Sequence, residues 1–190
     1  MTSAPGDAAT QERRAVVPSP LLGRPGAVAS SGADEGVAAH YGDPHREQRL
    51  LVEGLSVVDL SHLAVLTVTG PDRLSWLHSL TSQALTDLAP RTSTETLILS
   101  PKGHIEHALQ VVDDGTTTWL VTEPGSAAAA RTWLDSMRFM LRVEVADRTE
   151  DFAVVGEPVA RESVEGEHLA WVDHWPGPIG DTALYGPAEE

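Results

Sequence analysis

The chain contains no cysteine, and a single lysine, Lys102, stands among its 13 Lys and Arg residues. Without cysteine these residues can form no disulfide framework, Zn–thiolate site, thiolate-held iron–sulfur cluster or Cys nucleophile. Basic charge is scarce: 13 Lys and Arg stand against 28 Asp and Glu, a formal net charge of −15. That balance excludes nucleic-acid binding through a basic surface, because phosphate contacts need clustered cations. Long apolar runs are also missing. None approaches the roughly 20 residues that span a bilayer, and the N-terminus has no apolar core of a secretory signal. The expectation is a soluble, cytoplasmic protein with no membrane partner. Aromatic residues are few, at 5%, although five of them are Trp.

What is present suffices for one ordinary domain or part of a larger one: 190 residues can bury roughly 70% of the unfolded chain's surface. Residues 1 to 35 are rich in Ala, Pro, Gly and Ser and follow neither a helical nor a strand period. They read as a disordered tail. Order is expected from about Val37. Asp43-Pro44 starts a helix, with Asp as cap and Pro at the first helical position; it should stop near Gly54. Leu55–Leu60 and Leu63–Thr69 read as strands. Pro71-Asp72 opens a second helix with a stripe of Leu74, Leu77, His78 and Thr81, flanked by Trp76 and Leu80. That setting predicts a partly buried, hydrogen-bonded His78.

Thr94–Leu99 reads as a strand, and Ser100-Pro101-Lys102-Gly103 as a type I turn. In the strand Ile105–Val112, alternation puts Ile105, His107, Leu109 and Val111 on one face and Glu106, Ala108, Gln110 and Val112 on the other. Asp113-Asp114-Gly115 turns the chain into Thr117–Val121. A third helix starts at Gly125-Ser126, with Ala130, Trp133, Leu134 and Met137 as its core stripe. Leu141–Ala146, Phe152–Val155 and Leu169–Val172 read as strands. Trp175–Glu190 is Pro/Gly-rich and acidic. Helices and strands mix without βαβ alternation, so the class is α+β.

Few motifs carry chemistry. His104 and His107 straddle a turn and a strand at odd spacing, which opposes convergence on a metal. Asp59, Ser61 and His62 form no triad, since alternation sends His62 to the other face. No Gly-x-Ser-x-Gly elbow or phosphate-cradling loop occurs. Lys102 is either a solvated turn residue or a cation aimed at an anionic ligand.

Three strings then stand out: Gly54-Leu55-Ser56-Val57-Val58-Asp59-Leu60-Ser61-His62-Leu63, Val68-Thr69-Gly70-Pro71-Asp72, and Trp76-Leu77-His78-Ser79-Leu80-Thr81-Ser82-Gln83. Together they resemble the N-terminal domain of the folate-binding YgfZ/T-protein superfamily, whose T-protein is the aminomethyltransferase of glycine cleavage. Ser100-Pro101-Lys102-Gly103-His104-Ile105-Glu106-His107 and Trp133-Leu134-Asp135-Ser136-Met137-Arg138-Phe139 resemble its YgfZ-like branch. The resemblance runs from about Val37 to Val155.

It implies a mixed or antiparallel sheet with packed helices over residues 36–156, followed at 157–190 by the start of a further region. It implies tetrahydrofolate as cofactor and a role in assembly or repair of iron–sulfur proteins, the implied partners. The branch's Lys-Gly-Cys-x-x-Gly-Gln-Glu signature belongs to the second half of its members and is absent here, so the chain corresponds to their N-terminal part. Carried over by position, His62 and Leu63 are candidates for the wall of the folate site, and His107 for a contact to the pterin. Lys102 is a candidate for the glutamate tail, and Thr122 stands near the position of a T-protein asparagine. The adjacent aspartates of T-proteins fall on His107-Ala108, and Glu106 lies one residue out of register, on the opposite strand face. The resemblance therefore favours a folate-binding accessory protein with no catalytic residue. An active aminomethyltransferase and a remnant interaction domain are the alternatives.

Overall fold

Short-range signals build the first elements. The computed structural model describes residues 16–158 and 169–173. Ser19 caps a 3-10 turn at Pro20–Gly23. β1 (Val28–Ala29) pairs with β2 (Ala38–His40). Residues 16–35 are thus folded in part, where composition alone suggested a tail. Polar donors such as Ser19 N, bonded to Gly36 O at 2.7 Å, tie the segment down. Residues 1–15 lie outside the described residues. Asp43 accepts from Arg46 N at 3.0 Å and starts α1 (Pro44–Val52) as expected.

The strands follow as β3 (Val58–Asp59), β4 (Ala64–Thr69), β5 (Ser93–Leu99), β6 (Ile105–Asp113), β7 (Thr117–Thr122), β8 (Glu144–Asp147) and β9 (Val155–Gly156). α2 (Arg73–Leu80) follows β4, and α3 (Ala127–Ser136) follows β7. Five strands form one sheet in the order β5-β6-β7-β4-β8. Every pairing in it is antiparallel, which confirms the α+β reading. β3 and β9 pair separately. The segments around Leu55, Phe152 and Leu141 hold less strand than alternation suggested. Leu169–Val172 forms no strand: Trp171 Nε1 donates to Thr94 O at 2.9 Å, and Val172 N to Ser93 Oγ. Trp175–Glu190 lies outside the described residues.

Register assigns the two faces of the sheet. Ala64, Leu66 and Val68 sit opposite Thr122, Leu120 and Thr118. Leu66, Val68, Leu109, Val111 and Leu120 pack with Trp76 and Leu77 of α2 and Ala130 and Leu134 of α3 in one core. This is the helix-bearing face. Val65 and Thr67, opposite Val121 and Trp119, look the other way. α2 buries Trp76 and Leu77, while His78 is exposed. The expected stripe is thus rotated toward Trp76, whose Nε1 reaches Met137 O at 3.0 Å and ties the end of α3 to α2. His78 keeps one hydrogen bond, its Nδ1 accepting from Leu85 N. Among the described residues no helix is long and apolar enough to cross a membrane.

Candidate functional site

The antiparallel order gathers the candidate residues at one end of the five-stranded sheet. His62 and Leu63 lead into β4, Thr122 ends β7, His107 lies near the start of β6, and Lys102 sits in the β5–β6 turn. The faces then divide them. His107 pairs with Ile98, which belongs to the helix-side core. Thr122 is on the same side, through its pairing with Ala64. Its hydroxyl donates to Ala108 O at 2.8 Å, so Thr122 laces β7 to β6. Leu63 is half-buried and Lys102 exposed.

His107 has a buried Nδ1 without a hydrogen-bond partner. Burial lowers its pKa below the ordinary imidazole value, against the opposing pull of Glu106 and Glu123. The neutral ring so favoured offers an acceptor as well as a donor.

His62 belongs to different surroundings. It is only 5% exposed and lines a cleft of about 350 Å³ with Ala64, the first residues of α3, and Asp147, Thr149, Glu150 and Asp151. Its Nε2 lies 3.5 Å from Asp34 Oδ1. Leu63, Lys102, His107 and Thr122 do not line this cleft. The five candidates therefore share an end of the sheet and do not share a pocket.

The open face carries a second surface that residue-by-residue matching passed over. Leu97 pairs with Ala108, and Gln110 lies between Glu95 and Val121. Leu97, Gln110 and Val121 are half-exposed and Ala108 is exposed. Cross-strand neighbours share a face, so these side chains form one floor, an apolar patch with one amide, and the exposed Glu95 and Glu106 lie on the same face at its border. Trp119 closes one corner, packed edge-on against Phe152 with centroids 4.9 Å apart; Arg148 lies over Phe152. The parity of β6 was legible in the sequence. Which parity the helices would cover was not, because that depends on pairing with β4 and β7.

Among the described residues no group of three or more His, Asp or Glu side chains is placed to hold a metal ion. The far end of the sheet is structural. Arg73 binds Asp113 through two 2.8 Å hydrogen bonds, and Thr118 Oγ1 adds a third to the same carboxylate. The expected hairpin role of Asp113-Asp114-Gly115 thus extends to holding α2 on the sheet.

Comparison with known proteins agrees with this architecture. Residues 31–165 match the family described as GCVT N-terminal domain. An aminomethyltransferase of Nitrosococcus oceani is 26% identical over 131 residues, which cover 67% of this chain and 35% of that protein. The crystal structure of the glycine cleavage system aminomethyltransferase T from Bartonella henselae superposes with a TM-score of 0.55 at 22% identity, covering 67% of this chain and 36% of the other. The chain thus spans about a third of the length of each of these two relatives. With the family match extending over most of the folded residues, the chain belongs to the GCVT N-terminal domain family.

Proposed function

We propose that this chain supplies one part of a tetrahydrofolate site in a YgfZ-like accessory protein that supports iron–sulfur cluster assembly or repair. Family membership supports the folate part of the reading. The open-face floor fits the ligand's chemistry: a pterin is flat and apolar on its faces and polar at its edges. Such ligands take an apolar slot with a few polar groups, and Leu97, Ala108, Val121 and Gln110 offer that combination. Lys102, in the turn at the same end of the sheet, is a cation available to a glutamate tail.

One observation carries the choice of an accessory role. The acid pair of T-proteins falls on His107-Ala108, and the structure puts His107 on the helix side and Ala108 on the open face. Glu106 is exposed near the strand's start and is not paired with a second acid on β6. Nothing on this strand supplies the positioned carboxylates that one-carbon transfer requires.

The rival reading is an aminomethyltransferase, favoured by the names of both relatives. The two readings part in an assay of methylene-tetrahydrofolate formation from an aminomethylated lipoyl donor. An accessory protein gives no turnover above the uncatalysed rate. Saturable turnover that scales with enzyme concentration would replace the proposal with the transferase.

A further inference from the structure

The open-face floor is closed at its inner end, the end away from Lys102. Ser93, Val112 and Trp119 form a row across that end. Ser93 and Val112 are buried although they face the open side. Val172 N donates to Ser93 Oγ at 2.9 Å, which places residue 172 over the β5 corner. Trp119 holds the β7 corner, its Nε1 donating to Asp114 Oδ2 at 2.8 Å. The next row outward is Glu95, Gln110 and Val121, and beyond it lie Leu97 and Ala108. Glu95 and Gln110 thus stand where the apolar floor meets its closed end. They are direct cross-strand partners, which sets their Cβ atoms about 5 Å apart. No hydrogen bond or ion pair within the described residues occupies the Gln110 amide or the Glu95 carboxylate.

We propose that Glu95 and Gln110 read the amino-lactam edge of a bound pterin and orient the ligand with that edge inward. The inference rests on the folate reading above and names the groups that select its ring. The edge presents two donors side by side, the 2-amino group and N3–H, followed by one acceptor, the 4-oxo oxygen. A carboxylate accepts a parallel pair of hydrogen bonds from neighbouring donors. A side-chain amide supplies the donor for the oxo oxygen. Glu95 followed by Gln110 across the strands matches the order donor, donor, acceptor along the ring. Ala108 makes the room, since it is the shortest side chain of the floor. Side chains stand roughly perpendicular to a sheet, so a flat ring resting on Ala108 and Leu97 meets the two polar heads at its edge. The glutamate tail cannot take this end, because its carboxylates would meet Glu95. The tail therefore leaves by the open end.

The test is calorimetric titration of the whole chain with two ligands. One is tetrahydrofolate; the other is its 2-desamino-2-methyl analogue, in which a methyl group replaces the 2-amino group. The native chain is expected to bind the analogue roughly tenfold more weakly, the loss of a hydrogen bond to a charged group. Glu95→Thr keeps a strand-favouring residue but cannot reach the ring. It should bind both ligands alike, near the level of the analogue on the native chain. Gln110→Leu should weaken tetrahydrofolate roughly fivefold and keep the preference for the amino ligand. Equal binding of both ligands by the native chain overturns the proposal without any variant. So does an undiminished preference in Glu95→Thr, or unchanged affinity in Gln110→Leu. Any of these with tetrahydrofolate still bound leaves the folate reading standing. No binding of either ligand by the native chain brings down both.

Discussion

At the scale of single residues, the most constrained groups are two neighbouring aspartates. Asp113 is 1% exposed and bridges α2 to the sheet through Arg73. Removing one partner of a buried pair strands the other. Asp113→Ala is therefore expected to cost about 3 kcal/mol in chemical denaturation. Asp114 is only partly buried. Burial raises its pKa, but donors from Trp119, Thr116 and Thr117 outweigh burial and hold it at about 2, below the ordinary 3.8. Its folded value is depressed, so its contribution to stability is present above the ordinary value and is lost as pH falls through the folded one. Asp114→Ala should flatten the stability–pH curve between about 4 and 2. An unchanged slope in that window would show that these hydrogen bonds do not hold the carboxylate ionised. The local roles of both residues were readable from Asp-Asp-Gly. The reach of Asp113 to Arg73, 40 positions away in sequence, was not, because sequence spacing carries no information on which helix lies over a turn.

At the scale of elements, legibility followed locality. α1 was readable because its cap, its Pro and its terminal Gly54 all lie within twelve residues. α2 was misjudged by a rotation: its apolar residues do not form one clean stripe, and the choice of Trp76 over Leu74 for the core was made by packing against the end of α3. Residues 16–35 misled for a related reason. Their order rests on a few capping bonds and a short pairing with β2, which composition does not record. The junction of β4 and α2 gives the sharpest test of element packing. Gly70 has a φ of +108°, and a Cβ there would fall 2.0 Å from Arg142 O. Asp72 binds Arg142 through its backbone N and its guanidinium, so that backbone is pinned and cannot yield. Gly70→Ala should lower stability by about 3 kcal/mol, from backbone strain together with overpacking. A loss under about 0.5 kcal/mol, the size of an ordinary surface change, would mean that the β4–α2 turn moves freely. The loop beyond α3 shows the reverse case. Phe139 holds a φ of 45° while 85% exposed, and Met140 beside it is 97% exposed; the described residues supply no packing that explains either.

At the scale of the whole molecule, the chain is an acidic two-layer domain with one face covered by helices and one face partly open. The lone lysine, plain at first reading, acquires a place only against this shape. Lys102 stands at the end of the sheet where the open-face floor and the candidate residues meet. The identities of the candidates were legible from the family strings, and their clustering at one end followed from antiparallel order. Their division between two faces was not legible, since a strand's parity names no side until its neighbours are known. The central claim is that the open face receives tetrahydrofolate. Calorimetric titration of the native chain with tetrahydrofolate, run beside Ala108→Arg and His107→Ala, tests it most directly. A saturable heat for the native chain, largely kept in His107→Ala and abolished in Ala108→Arg, is the predicted result. Native and Ala108→Arg proteins giving equal heats, or no heat from the native chain, would contradict it.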